Sequence, residues 1–95
     1  MPEERAQAAK LNLLAGKRAR NSTAYASALK YLADGRALLS QDPWDQYYRL
    51  AFDLELSRAE CEFLTGALTD ADERLSALSG RAKNSMDSAA IARLR

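Results

Sequence analysis

Apolar residues recur along this chain at intervals of three and four, the spacing that gathers them on one face of an α-helix. Five such stretches follow one another. The first, residues 3–20, carries Leu11, Leu14, Ala15 and Ala19 at that interval. Pro2, Glu3 and Glu4 suit its start, because Pro has no N–H to strand and acids meet the positive end of the helix dipole. Asn21-Ser22-Thr23 interrupts the pattern and offers an N-cap for the second stretch, residues 23–40, with Tyr25, Ala28, Leu29, Leu32, Gly35, Leu38 and Leu39. Gly35 lies inside that helix, where Gly is about 1 kcal/mol worse than Ala. Either a neighbouring helix approaches its backbone closely, or the residue is simply tolerated.

The third stretch opens with Asp42 as N-cap, Pro43 at the first helical position and Asp45 in the first turn, and runs to Leu64, with Gly66 ending it. Two apolar rows run along it. One is Leu50, Leu54, Cys61 and Leu64; the other is Tyr48, Phe52, Leu56, Ala59 and Phe63. A surface that wide predicts a central helix packed from two sides. A fourth helix, residues 69–82, starts at Thr69 and Asp70 and presents Ala71, Leu75 and Leu78; Thr69 and Asp72 loosely resemble a capping box. The fifth, residues 86–95, shows Met86, Ala89, Ala90, Ile91 and Leu94, and it reaches Arg95 without a stop signal. The expectation is one module over residues 1–95, excised from a longer chain, whose uncovered last helix self-associates or frays. No strand-like alternation is present. The fold class is all-α, in antiparallel helical pairs, because short connections join successive helices.

Composition agrees. Apolar residues make up 47% and charged residues 28% of the 95, with only 4 Gly and 2 Pro, as in a globular helical domain. The net charge of +1 creates no global field toward nucleic acid or membrane. Charge is nevertheless blocked: seven Lys/Arg against three acids in residues 1–36, two against nine in 37–73, five against one in 74–95. Cys61 is the only cysteine, so no internal disulfide forms, and its apolar setting suits an inert buried thiol. No apolar run reaches the roughly 20 residues of a membrane helix, and the N-terminus does not resemble a signal peptide, which makes the cytoplasm the default location.

Helical pairs invite a search for repeats. Gly16 is followed 12 residues later by Ala28 and then Leu32, and Ala59 is followed 12 residues later by Ala71 and then Leu75. Small residues at matched places on both helices of a pair resemble the tetratricopeptide pattern, whose right-handed array is the fold this likeness implies. The units are 43 residues apart, against about 34 in that family. The family's Trp, Leu and Tyr positions fall on Asn12, Ala15 and Ala19 in the first unit and on Glu55, Arg58 and Glu62 in the second.

A narrower likeness covers nearly the whole chain. Residues 11–19 (Leu-Asn-Leu-Leu-Ala-Gly-Lys-Arg-Ala) through residues 24–32 resemble a segment of bacterial hybrid signalling proteins, as do Trp44 with Tyr48, Leu50, Ala51 and Phe52, and the run Ala59 to Gly66. Those proteins join a serine/threonine kinase, a STAND-type ATPase, a GAF sensor and a histidine kinase. The segment resembled is the tetratricopeptide-like region between ATPase and sensor. The resemblance implies an interaction or linker module in a signal-transduction kinase, with neighbouring domains of the same chain as partners.

Catalytic chemistry is not legible. The chain has no histidine, which removes the phosphoaccepting residue, the usual general base and most zinc sites. Gly16-Lys17 does not make a P-loop, because Leu11 and Arg18 stand where Gly and Ser/Thr are needed. The helix-face acids Asp53/Glu60 and Glu55/Glu62 have Arg58 at ion-pair spacing. No catalytic, cofactor or metal residues are assigned. Candidate partner contacts are Lys10 and Lys17 on one stripe of the first helix, Arg20 a turn beyond, and Trp44. The cations suit an acidic segment, or are a solvated helix face; Trp44 anchors a partner, or packs on the second helix. The alternative function is a free-standing helical regulator that dimerises or binds nucleic acid through its basic first helices, although no helix-turn-helix is recognisable.

Overall fold

The computed structural model describes residues 1–95 and is entirely helical: α1 (Pro2–Asn21), α2 (Tyr25–Leu38), α3 (Tyr48–Thr65), α4 (Leu68–Ser79) and α5 (Ser85–Leu94). Successive helices pack on one another, and α1 also touches α3. The chain alternates direction. Gly16 of α1 meets Ala28 and Leu32 of α2, whereas Gly35 of α2 meets Ala9 and Asn12 of α1. Arg20, late in α1, reaches Glu60, late in α3, so these two run the same way. α5 follows them, with Asp87 near its start bonded to Arg49 near the start of α3. The slab measures 36 × 29 × 19 Å, about two helix diameters thick.

α3 is the central element, as its two apolar rows require. Leu54 and Cys61, with Leu50 beside them, join Ala6, Ala9, Leu13, Ala28 and Leu32 in a core shared with α1 and α2. Phe52 and Ala59, flanked by Tyr48, Leu56 and Phe63, join Leu75, Leu78 and Ile91 in a second core shared with α4 and α5. Leu64 departs from its row and is exposed, because the helix ends one residue later. Gly16, Ala28, Ala59 and Ala71 are all buried at helix contacts. Gly35 is a close approach as well: a Cβ there would stand 3.0 Å from both Asn12 Cβ and Leu54 Cδ2.

Several helix ends differ from expectation. α3 does not begin at Asp42-Pro43. Those residues and the next four form a turn closed by Tyr47 N–H donating to the Pro43 carbonyl at 2.8 Å. Pro43 is fully buried and Trp44 packs against both cores, so tertiary packing outweighs the local start signal. Thr23 does not cap α2. It takes a left-handed φ of 60° in the connecting turn, and its hydroxyl donates to the Ser22 carbonyl at 2.6 Å. The Thr69 capping box is also absent; α4 starts at Leu68 behind Ala67. Gly66 does end α3 with φ 86°, and the bonds Ala67 N–H to Glu62 O and Gly66 N–H to Phe63 O make a Schellman closure. The last helix is not left uncovered, since Ile91 is buried in the second core and Leu94 packs beside it; of its apolar row Met86, 81% exposed, and Ala89 stand out.

Candidate partner groove

Because α1, α3 and α5 run in the same direction on one side of the slab, their outward faces meet in a groove. Its upper part is a cleft of about 530 Å³ between α1 and the start of α3, lined by Glu3, Gln7, Lys10, Tyr47, Arg49 and Asp53 among others. Its lower part, of about 270 Å³, is lined by Lys17 and Arg20 of α1, Asp53, Ser57 and Glu60 of α3, and Arg93 of α5. The structure therefore brings Lys10, Lys17 and Arg20 to one groove. Their states differ. Arg20 is ion-paired with Glu60 and committed to holding α1 on α3. Lys10, Lys17 and Arg93 are in no ion pair, and each leaves a cation turned to the groove.

Trp44 lies elsewhere. Its ring is set edge-on to Tyr48 at 6.3 Å, with the guanidinium of Arg81 at 5.3 Å and that of Arg36 at 5.9 Å from its centre. It works as a hub joining α2, α3 and the end of α4, and it lines neither part of the groove.

Two polar clusters were not foreseen. In the first, Asp87 is 5% exposed and takes bonds from Arg49 at 2.6 and 2.8 Å, Tyr48 Oη at 2.5 Å and Asn84 Nδ2 at 3.1 Å. The Arg49 hydrogen bonds hold its carboxyl below the usual carboxylate range, against the opposing effect of burial. Burial pushes the Tyr48 phenol up, and its bond to Asp87 adds to this. The local signal for this cluster was present in the sequence: Asn84 with Asp87 three residues on is a helix-start pattern, and Asn84 Oδ1 does accept the Asp87 N–H at 2.8 Å. Its partner Arg49, 38 residues away, had no local signature.

The second cluster occupies the opposite side of α3 from the groove. Arg74 of α4 makes a two-bond fork to Glu62, at 2.9 and 3.1 Å, and a third bond to Glu55 at 3.2 Å. Arg36 of α2 and Arg58 of α3 both point at Glu55 Oε1 from 3.9 Å. Glu55, Arg58 and Glu62 are the positions where the repeat pattern asked for Leu and aromatic residues, and the structure fills that face with ion pairs. Burial lowers the Arg58 guanidinium's hold on its proton, and the like charge of Arg74 lowers it further.

Comparison with protein-family models, with curated proteins and with solved structures returns no match to this chain.

Proposed function

We propose that this chain is a non-catalytic, tetratricopeptide-like module that holds an extended acidic segment of another protein along the α1/α3/α5 groove. In this reading it is an interaction or linker element of a multidomain bacterial signalling protein, set between an ATPase and downstream sensor and kinase domains, and works in the cytoplasm. The observation that carries the proposal is the groove itself, with Lys10, Lys17 and Arg93 free of ion pairs along it. Alternating helix direction, and small residues at Gly16, Ala28, Ala59 and Ala71 in the helix contacts, support the repeat reading. Its partners are protein segments, foremost neighbouring domains of the same chain, and neither cofactor nor membrane has a part in it.

The test is fluorescence anisotropy with labelled decapeptides of mixed Glu/Ala and mixed Lys/Ala sequence. The acidic peptide is expected to bind saturably and the basic one not. Lys10→Glu with Lys17→Glu is expected to weaken the acidic peptide at least about tenfold, since charge-assisted contacts are worth roughly 1.5–3 kcal/mol each. Equal binding of both peptides, or indifference to the double substitution, removes the groove from the proposal.

A second reading is favoured by one feature. Leu11 and Leu14 are 67% and 51% exposed beside Lys10, Lys17 and Arg18 on the outer face of α1. A free-standing regulator that dimerises or binds nucleic acid would use that face. Sedimentation over a concentration series, with and without a DNA duplex, separates it from the first reading.

A further inference from the structure

The cluster opposite the groove is not self-satisfied. Three guanidiniums, Arg36, Arg58 and Arg74, converge from α2, α3 and α4 on two carboxylates, Glu55 and Glu62. One positive charge is left over. The hydrogen-bond pattern shows where it resides. Arg74 spends its donors on Glu62 and Glu55. Arg36 donates to the Ser40 and Gln41 carbonyls at 2.9 and 3.3 Å, which fixes its head at the end of α2. Arg58 donates no hydrogen bond; its sole ion-pair contact, to Glu55, is at 3.9 Å, beyond hydrogen-bond reach. Its side chain is 29% exposed, and none of its unpartnered N–H groups is fully buried.

We propose that Arg58 is the centre of an oxyanion-binding site, taking one carboxylate or phosphoryl group in its planar fork, with the neighbouring charges of Arg36 and Arg74 adding attraction. Arginine suits this because its donors match two oxygens at once. A half-buried position strengthens the contact, since charges there are less screened than on open surface. Burial first, and then the like charge of Arg74, disfavour the ionised form of Arg58, while Glu55 and Glu62 favour it; a bound anion adds to the favourable side. Glu55 fixes the geometry. Its Oε2 is held by Arg74, and its Oε1, buried without a hydrogen bond, faces Arg36 and Arg58 from too far to consume either. The site is on the face of α3 turned away from the groove, so it stands independently of peptide binding there.

The experiment is a titration of the 95-residue chain with inorganic phosphate, and separately with acetate, at fixed ionic strength, followed by the arginine Nε–H resonances. A saturable shift at Arg58 and Arg74, with Arg18 on the far side of α1 unmoved, is expected. In Arg58→Gln the Arg74 shift should need about tenfold more phosphate or greater, the loss of a charge-assisted pair of bonds; Arg18→Gln should change nothing. Arg58→Gln is expected to keep its melting temperature, because Arg58 makes no hydrogen bond; if it does not fold, the wild-type titration decides. A response to phosphate alone assigns a phosphoryl group, and a matching response to acetate assigns the carboxylate of an acidic segment. A shift that does not saturate with either anion, a midpoint shared by Arg18 and Arg58, or a folded Arg58→Gln that titrates like wild type overturns the proposal.

Discussion

Asp87 shows how much one side chain decides in a small helical domain. Its carboxylate is nearly enclosed, yet every oxygen has partners, so burial is offset by Arg49 Nη2, which donates to both oxygens, and by the Tyr48 hydroxyl. Tyr48 in turn accepts the Lys83 N–H at 3.0 Å, which ties the α4–α5 connection to α3. Replacing Asp87 with Asn keeps the size but removes the charge. At neutral pH this is expected to cost about 1–3 kcal/mol in urea unfolding. The pH dependence has a definite sign. The carboxyl titrates at its ordinary value, 3.8, when unfolded, and lower when folded. Stability from the lock is therefore full above pH 3.8 and declines as pH falls through the depressed folded-state value. Wild type and Asp87→Asn should converge under acid; curves that stay parallel to the lowest pH would show that Asp87 contributes nothing through its charge.

At the scale of elements, contact between α1, α2 and α3 hinges on Gly35. A methyl group there gains about 1 kcal/mol of helix propensity, but it would meet Asn12 Cβ, Leu54 Cδ2 and the Ala9 carbonyl within 3.3 Å. Overpacking of this kind costs roughly 1–3 kcal/mol, and two of the three neighbours are helix atoms with little room to yield. Gly35→Ala is expected to lower the midpoint of urea unfolding. A gain in stability would mean that the helices move apart at no expense and that the close approach is incidental. Trp44 belongs to the same scale. Lodged between Arg36 and Arg81 and against both cores, it holds the α2–α3 connection in a turn where the sequence signalled helix.

Across the whole molecule, packing is uneven. α3 is covered from both sides, whereas α5 is held by Ile91 in the second core, Leu94 beside it and the Asp87 lock. Sub-global opening follows the sparsest contacts. Amides of α5 are expected to exchange with solvent water faster than those of residues 51–62, and Asp87→Asn should accelerate α5 selectively. Exchange of α5 as slow as that of α3, in both proteins, would show that the last helix opens only with the rest.

The sequence alone determined that this chain makes five helices, roughly where they run, that the third is central, and that Cys61 and the small residues Gly16, Ala28, Ala59 and Ala71 lie inside. Those properties are periodic or local: a repeat of three and four is visible in the string, and so are the Pro2 start and the Gly66 stop. Tertiary structure alone decided the rest. Asp42, Pro43 and Asp45 signal a helix start, but Pro43 is buried and Trp44 packs against both cores in a turn, so α3 begins at Tyr48. Glu55, Arg58 and Glu62 read as a polar interruption of a repeat until Arg36 and Arg74, 19 residues to either side of Glu55, arrive on the same face. Lys10 and Lys17 could be placed on a common stripe, but Arg93 joins them only because α5 returns parallel to α3. Ion pairs between helices have no period in sequence. Their partners are selected by which faces meet, and that is fixed by the packing of the two cores.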